Sequence, residues 1–298
     1  MIKAPPTPKG FRDILPELAK KRREVINTIS NVLEESGFVP VETPTIEFAK
    51  TLKGKYGEEE KLIYEFTDRG GRDLALRYDL TVPLARFVAS NLKLIEKGPF
   101  RRYQIGQVFS GEKPQKGRWR EFTQLDFDSV GGSSSMEDVE IVQLVSKCLR
   151  KLGIENFTIL INSREILRKS GASPEFLRVL DKQDKLSKDE FLKLVSEAKE
   201  YDSTAYEFLK NSKPEDDPVL KEIFKNKDLN LFYLPTLARG LDYYTGVILE
   251  VKIDGIGTIG GGGRYDNLIG MFAKRQIPAV GFSFGLDRLI DSLPDEIR

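Results

Sequence analysis

The 298-residue sequence predicts an α+β fold, an antiparallel β-sheet flanked by helices and interrupted by a small helical insertion. Three observations carry that prediction. Short β-like runs crowd residues 61–132, and the turn signals between them, DRGGRD and EKPQKGR, are of the kind that join antiparallel strands. Residues 163–230 then turn charged and helical with no alternation. The β-pattern resumes at residue 231 and runs through a glycine-rich stretch to AVGFSFGLDRLIDSL. A sheet interrupted by an insert fits this order better than two consecutive domains, and the antiparallel runs argue against a doubly wound sheet. The expected division is 1–162 for the first part of the core, 163–230 for the insertion and 231–298 for the second part.

Taken in order, residues 17–36 place Leu18, Val25, Ile26, Ile29 and Leu33 at helical spacing, and Gly37 stands where a C-terminal stop belongs. FVPVETPTIE alternates but carries Pro40 and Pro44, which suits an edge or interface strand. LIYEFTD, DLALRYD, RRYQIGQVFS and EFTQLDFDSVG read as strands, with TVPLARFVASN a short helix between them. SSSMEDVEIVQLVSKCLRKLG opens with serines and acids before an apolar helical run, an N-terminal capping arrangement. FTILINS is a strand, and LFYLPTLARGLDYYTGVILEVKID brings the β-pattern back.

Composition narrows the chemistry. The 47 Lys+Arg and 46 Asp+Glu nearly cancel, so any nucleic-acid contact must be local. The chain has no histidine, which excludes a histidine nucleophile, base or metal ligand. Its single cysteine, Cys148, reads as buried apolar filler, and a soft-metal site is not expected. No apolar run approaches the roughly 18 to 20 residues of a membrane span. MIKAPPTPKGFRD lacks a secretory apolar stretch, so the expected location is cytoplasmic.

Four segments hold more arginine, carboxylate and glycine than a core needs. In LRYDLTVPLAR, Asp79 and Thr81 stand two apart and would share a side on a strand end, where they could receive an ammonium group; the plainer alternative is a turn capped by Asp79. FRRYQIGQVFSGEKPQKGRWREFTQLDFD has the shape of a long hairpin whose tip gathers Lys113, Lys116, Arg118 and Arg120, either as a solvated loop or to bind phosphate or RNA. On its return strand Gln124, Asp126 and Asp128 alternate to one face, a pattern that usually means solvent, while Leu125 and Phe127 mark the other face as buried. In LARGLDYYTG, Arg239 beside Gly240 lets backbone approach a ligand, and Tyr243 and Tyr244 offer ring faces and hydroxyls. The run Gly260 to Gly263 has no packing value in a strand interior and points to close backbone approach.

Together and in order, KGFRDILPE, LRYDLTVPLAR, the PQKGRWREFTQLDFD hairpin, RGLDYYTG, GGGRYDNLIG and GFSFGLDRL resemble the histidyl-tRNA synthetase family of class II aminoacyl-tRNA synthetases. The resemblance spans nearly the whole chain. It implies the class II catalytic fold and a reaction in which the carboxylate of L-histidine attacks the α-phosphorus of ATP, carried with Mg2+, to give histidyl-adenylate for tRNA(His). It implies that Asp79, Thr81 and Gln124 receive the α-amino group, that Asp128 and Tyr244 meet the imidazole, and that Tyr243 and Tyr265 line the same pocket. Arg239 then matches the catalytic arginine between carboxylate and α-phosphate, Arg288 the class II arginine on ATP, and Glu112 the acid of the second class motif. Arg118 and Arg120 fall on the ATP-binding hairpin. The helix over 17–36 and Pro44 match the first motif, which implies a homodimer.

Two departures bear on activity. Where the family places an arginine on the α-phosphate, this chain reads Phe109-Ser110-Gly111-Glu112. Serine donates a hydrogen bond but carries no charge, so the expectation is slowed adenylation unless Arg118 or Arg120 swings in. Family synthetases also continue past GLDRL into an anticodon-reading domain, whereas this sequence stops at Arg298, so weak tRNA binding is expected. Both departures suit the alternative that the chain is the paralogue acting as regulatory subunit of ATP phosphoribosyltransferase, partnered with that enzyme's catalytic subunit.

Overall fold

The longest strands form one hairpin, and it organises everything else. The structure is a computed structural model that describes residues 5–114, 118–180, 186–197, 203–238 and 243–293. Its strands in chain order are β1 (Val39–Pro40), β2 (Ile46–Phe48), β3 (Glu65–Thr67), β4 (Asp73–Leu76), β5 (Phe100–Phe109), β6 (Glu121–Val130), β7 (Phe157–Ser163), β8 (Leu231–Tyr233), β9 (Val247–Ile253), β10 (Gly257–Arg264) and β11 (Ala279–Gly285). The main helices are α1 (Pro16–Glu35), α2 (Ala49–Leu52), α3 (Thr81–Ser90), α4 (Ser135–Lys151), α5 (Arg164–Lys169), α6 (Pro174–Leu180), α7 (Lys188–Glu197), α8 (Ser203–Asn211), α9 (Pro218–Ile223), α10 (Gly270–Ala273) and α11 (Leu286–Asp291).

Eight strands make one sheet in the order β1-β5-β6-β11-β10-β9-β7-β8, antiparallel throughout except for the parallel outer pairs β1·β5 and β7·β8. The β5–β6 hairpin pairs without a break from Phe100↔Val130 to Phe109↔Glu121. Its alternation decides the two faces. Tyr103, Leu125, Phe127, Phe282 and Phe284 point to one side and join Val25, Ile29 and Leu33 of α1 and Val142, Val145 and Leu149 of α4 in the main core. A second apolar cluster packs α3 against β4 and the segment Tyr265–Ala279 on the other side.

Local sequence explains the flanking helices. α1 begins with Pro16, whose missing N–H costs nothing at a helix start, and ends at Gly37, whose φ of 82° lets the chain turn left-handed. Leu18 and Ile26 are only partly buried, and Val32 completes the buried stripe. α4 is capped by Ser134, which accepts from the Met136 N–H. Its first-turn acids do more than meet the helix dipole: Glu137 accepts from Ser129 and Asp138 binds Arg264. α5 to α9 lie between Arg164 and Ile223, and Phe176, Leu209 and Ile223 join the main core. Asp217 caps α9 while accepting from the Ser163 hydroxyl at 2.5 Å, which ties that helix to the end of β7.

Some local expectations are corrected. FVPVETPTIE gives two short strands in different sheets, because after Pro40 the chain leaves the edge of the large sheet and pairs with β4 in a three-stranded sheet, β2-β4-β3. The β-pattern from Leu231 is broken into β8 and β9. The four glycines do lie in a strand interior, that of β10. They are tolerated because the sheet is tight there: a Cβ on Gly262 would stand 2.1 Å from the Gly281 carbonyl oxygen. Cys148 is fully buried, as expected. Among the described residues no helix is long and apolar enough to cross a membrane.

Candidate active site

Opposite the main core, the sheet carries a row of polar residues that are not in solvent. Gln124, Asp126 and Asp128 of β6 line a cavity of about 680 Å³, and Asp126 and Asp128 are 2% and 3% exposed. The alternation is as read, but the expectation of a solvated face is corrected: Thr81 of α3, Tyr243, Tyr244, Tyr265 and the segment from Leu234 to Ala238 line the same cavity. Facing them on β11 are Gly285, Ser283 and Gly281 in register. At Gly281 a Cβ would meet Asp128 Oδ1 at 1.9 Å, so glycine there is the condition for the Asp128 side chain to lie across the neighbouring strand.

One end of the cavity gathers hydrogen-bond acceptors. Asp79 follows β4 and accepts, through Oδ1, from the Val82 N–H at 3.0 Å and from the Tyr56 hydroxyl at 2.9 Å. The strand-end placement of Asp79 and Thr81 is thereby corrected. Asp79 closes the start of α3 and Thr81 is that helix's first residue, because the carboxylate satisfies an otherwise orphaned helix N–H. Asp79 Oδ2 has no partner, so the same side chain both holds the helix start and offers a free acceptor to the cavity. Burial raises its carboxyl to about 6. Tyr243, Tyr244 and Tyr265 wall this end, with ring centroids 4.9 Å apart for Tyr243 and Tyr244 and 6.0 Å apart for Tyr243 and Tyr265. Burial raises the hydroxyls of Tyr243 and Tyr265 well above their ordinary range, so both are neutral donors.

Asp128 is held on two sides. The Tyr265 hydroxyl donates to Oδ1, and Arg102 Nη2 of β5, wholly buried, forms an ion pair with Oδ2 at 2.7 Å without pointing along a hydrogen bond. Burial raises Asp128, and Arg102 opposes the rise.

The other end is charged and more open. Glu112, Arg118, Glu250, Lys252 and Arg288 line it together with Trp119 and Phe122. Arg288 donates to the Thr258 carbonyl at 2.9 Å, and its pKa is lowered by burial first and by the Arg118 charge second. Two guanidiniums close enough to repel mark a place that an anion would stabilise. Asp287 locks the start of α11 by accepting from Arg12, Arg22 and the Thr123 N–H. Ser110 is 5% exposed on the cavity wall and brings no charge to it.

Of the twelve site residues read from the sequence, ten line this one cavity: Asp79, Thr81, Glu112, Arg118, Gln124, Asp128, Tyr243, Tyr244, Tyr265 and Arg288. Arg120 does not. Its guanidinium donates to the carbonyls of Glu112 and Lys9 and pins the hairpin tip to the N-terminal segment. Arg239 lies outside the described residues, although Ala238 and Tyr243 on either side of that gap both line the cavity. Sequence reasoning passed over Tyr56, Arg102, Glu250 and Ser283. Arg102 alone carried a usable signal, since the unbroken hairpin register sets it opposite Asp128.

Comparison with known proteins agrees with the geometry. The histidyl-tRNA synthetase family model matches residues 10–211 and 165–289. The histidine--tRNA ligase of Treponema denticola is 40% identical over 325 aligned positions that cover 96% of this chain and 72% of that protein. Its counterpart from Aeropyrum pernix is 41% identical, covering 97% and 74%. Among solved structures, histidyl-tRNA synthetase from Nostoc sp. PCC 7120 superposes with a TM-score of 0.80 at 27% identity, over 98% of this chain and 75% of that one. An ATP phosphoribosyltransferase regulatory subunit/histidyl-tRNA synthetase from Bacillus halodurans C superposes at 0.79 with 24% identity over 99% and 84%, a likeness of fold. With a class II-like antiparallel sheet, one polar cavity and relatives of this identity over most of their length, the chain belongs to the histidyl-tRNA synthetase family.

Proposed function

We propose that the chain is a histidyl-tRNA synthetase-type catalytic core that binds L-histidine and ATP and forms histidyl-adenylate for transfer to the acceptor end of tRNA(His). The observation that carries this is the convergence, from stretches as far apart as Asp79 and Arg288, of an ammonium acceptor set and an arginine pair in one cavity. Asp79, Thr81 and Gln124 take the amino group. That leaves the substrate carboxylate facing Arg118 and Arg288, and Arg239 acts there by family resemblance. A carboxylate oxygen attacks the α-phosphorus in line, the bond to the bridging oxygen breaks, and pyrophosphate departs. Both reactants are anionic, so fixed positive charge around the pentavalent phosphorus is the main requirement.

Mg2+ fits as an ion delivered on the triphosphate. Among the described residues no three acidic, His or Cys side chains are grouped to hold a metal unaided, whereas Glu112 and Glu250 lie beside Arg288, where they would hold it. When bound it supplies neutralisation of phosphate charge. The chain's own contribution is to orient the carboxylate and to keep Arg118 and Arg288 in place without reorganisation.

The test is histidine-dependent ATP–pyrophosphate exchange by the whole chain. Exchange above background is expected, and Ser110→Arg is expected to raise it at least about tenfold, because one charged contact at the phosphorus is worth roughly 3 to 4 kcal/mol. Absence of exchange in both proteins sinks the proposal. Ser110 also favours a second reading, a regulatory subunit of ATP phosphoribosyltransferase. That reading predicts co-purification with, and activation of, a short-form phosphoribosyltransferase.

A further inference from the structure

The β5–β6 ladder stops just short of Trp119. Pairing ends at Phe109↔Glu121, with one further bond from the Ser110 N–H to the Arg120 carbonyl, and Trp119 lies beyond it on the charged end of the cavity. The N-terminal segment lies against the chain there. The Arg120 N–H donates to the Gly10 carbonyl at 2.8 Å, and the Arg120 guanidinium donates to the carbonyls of Glu112 and Lys9. Gly10 sits at φ 89°, and a Cβ on it would stand 2.8 Å from the Arg120 side chain and 2.9 Å from Pro114. Only glycine fits that approach without a shift of the hairpin tip.

Two residues further on, Arg12 joins the two sides of this end. Its guanidinium carbon lies 4.5 Å from the centroid of the Trp119 ring, and its Nη2 donates to Asp287 Oδ1 at 2.5 Å. Asp287 directly precedes Arg288 in α11 and also accepts from Arg22 at 2.6 Å and from the Thr123 N–H at 3.0 Å. Trp119, Asp287 and Arg288 line the cavity, and Arg12 is in contact with the first two without lining it itself. A cation over an indole face is attracted to it, more strongly as the pair is withdrawn from water, and the Arg12 side chain is only 23% exposed. One guanidinium thus ties an aromatic wall of the cavity to the start of the helix that carries Arg288.

Resting on the proposal that this end of the cavity takes ATP, we propose that Arg12 is a positioning residue for the nucleotide. It acts through Trp119 and Asp287, fixing the indole wall and the Arg288 backbone relative to each other before ATP arrives. Arg12 itself touches no reacting atom. Groups already in place lose little freedom on binding, so removing Arg12 weakens the nucleotide and spares the amino acid, whose acceptors lie at the other end. Arg22 shares Asp287 but reaches Thr123 in place of Trp119, which allows the two routes to be separated.

The experiment titrates ATP with Mg2+ into the whole chain and follows the fluorescence of Trp119, its single tryptophan, with histidine affinity measured alongside by calorimetry. Arg12→Met is expected to change the emission of the unliganded protein and to weaken ATP about tenfold, while histidine stays within about threefold. Arg12→Lys, which keeps a cation between the same partners, is expected to recover part of the ATP affinity. Arg22→Met is expected to leave the emission unchanged. Should Arg12→Met not fold, Arg12→Gln, which keeps a donor for Asp287 but no charge over the ring, reads the same quantities. Unchanged ATP affinity in the Arg12 variants, or equal weakening of both ligands, overturns the proposal. So does an Arg22→Met protein that reproduces both the emission change and the loss of ATP affinity, because Asp287 alone would then carry the effect. Failure of the unaltered chain to bind ATP overturns the underlying reading and this proposal with it.

Discussion

Asp79 shows how one side chain serves structure and site at once. Its Oδ1 closes the start of α3 and holds Tyr56, while Oδ2 faces the cavity. The two oxygens can be separated by mutation. Asp79→Ser keeps a competent cap and removes the charge, so unfolding in urea is expected to shift by no more than about 1 kcal/mol. Histidine affinity is expected to fall about tenfold or more, since a charged hydrogen bond to the ammonium group is lost. Equal losses in stability and binding would show that the cap, not the free oxygen, carries the effect. The cap reading of Asp79 is therefore compatible with a second role for Oδ2, because Val82 and Tyr56 both bond to Oδ1.

At the scale of elements, the segment GGGRYD is legible as a site motif, but its arginine does not face the cavity. Arg264 leaves the end of β10 and donates from Nε and Nη2 to both oxygens of Asp138 in the first turn of α4, with further bonds to the carbonyls of Gly132 and Ser134. This joint fixes the end of β10, directly before Tyr265, against the helix that backs the sheet. Lysine cannot reproduce a planar fork, so Arg264→Lys is expected to lower unfolding stability by about 2 kcal/mol or more, measured by urea titration. A change below half that value would mean that the joint contributes little. The β5–β6 hairpin is the opposite case, legible at full length because its turn residues and alternation act locally. The short strands β1, β2 and β8 were hard to read because two or three residues carry no period of their own.

For the whole molecule, three carboxylates, Asp79, Asp126 and Asp128, are buried together with Arg102, and this has a consequence for pH. Burial raises Asp79 to about 6 and Asp126 to about 7, above the ordinary 3.8. In that interval the folded chain holds protons the unfolded chain has already released, so stability drops as pH rises through the folded values. The urea midpoint of the protein without substrate is therefore expected to fall between about pH 4 and about pH 7, and Asp126→Asn is expected to flatten the fall. A midpoint that rises over that interval in the unaltered protein, with a slope the substitution leaves unchanged, would mean that these carboxyls do not hold their protons in the folded state. Around Asp126 the groups setting this balance are Arg102, Asp128, Ser283 and Asp79.

The sequence by itself determined the α+β class, the long hairpin, the capped helices and the family, together with most of the side chains that meet in the cavity. These follow from local turn chemistry, from alternation along single strands and from ordered motifs, all of which are written in neighbouring residues. Only the tertiary structure decided that the polar face of β6 is covered, that Arg120 turns back to the N-terminal segment, that Arg102 braces Asp128, and that Asp126 keeps a free oxygen. Those outcomes depend on which distant segment lies opposite each side chain, and hydrogen-bond satisfaction in a buried site is settled by that proximity alone.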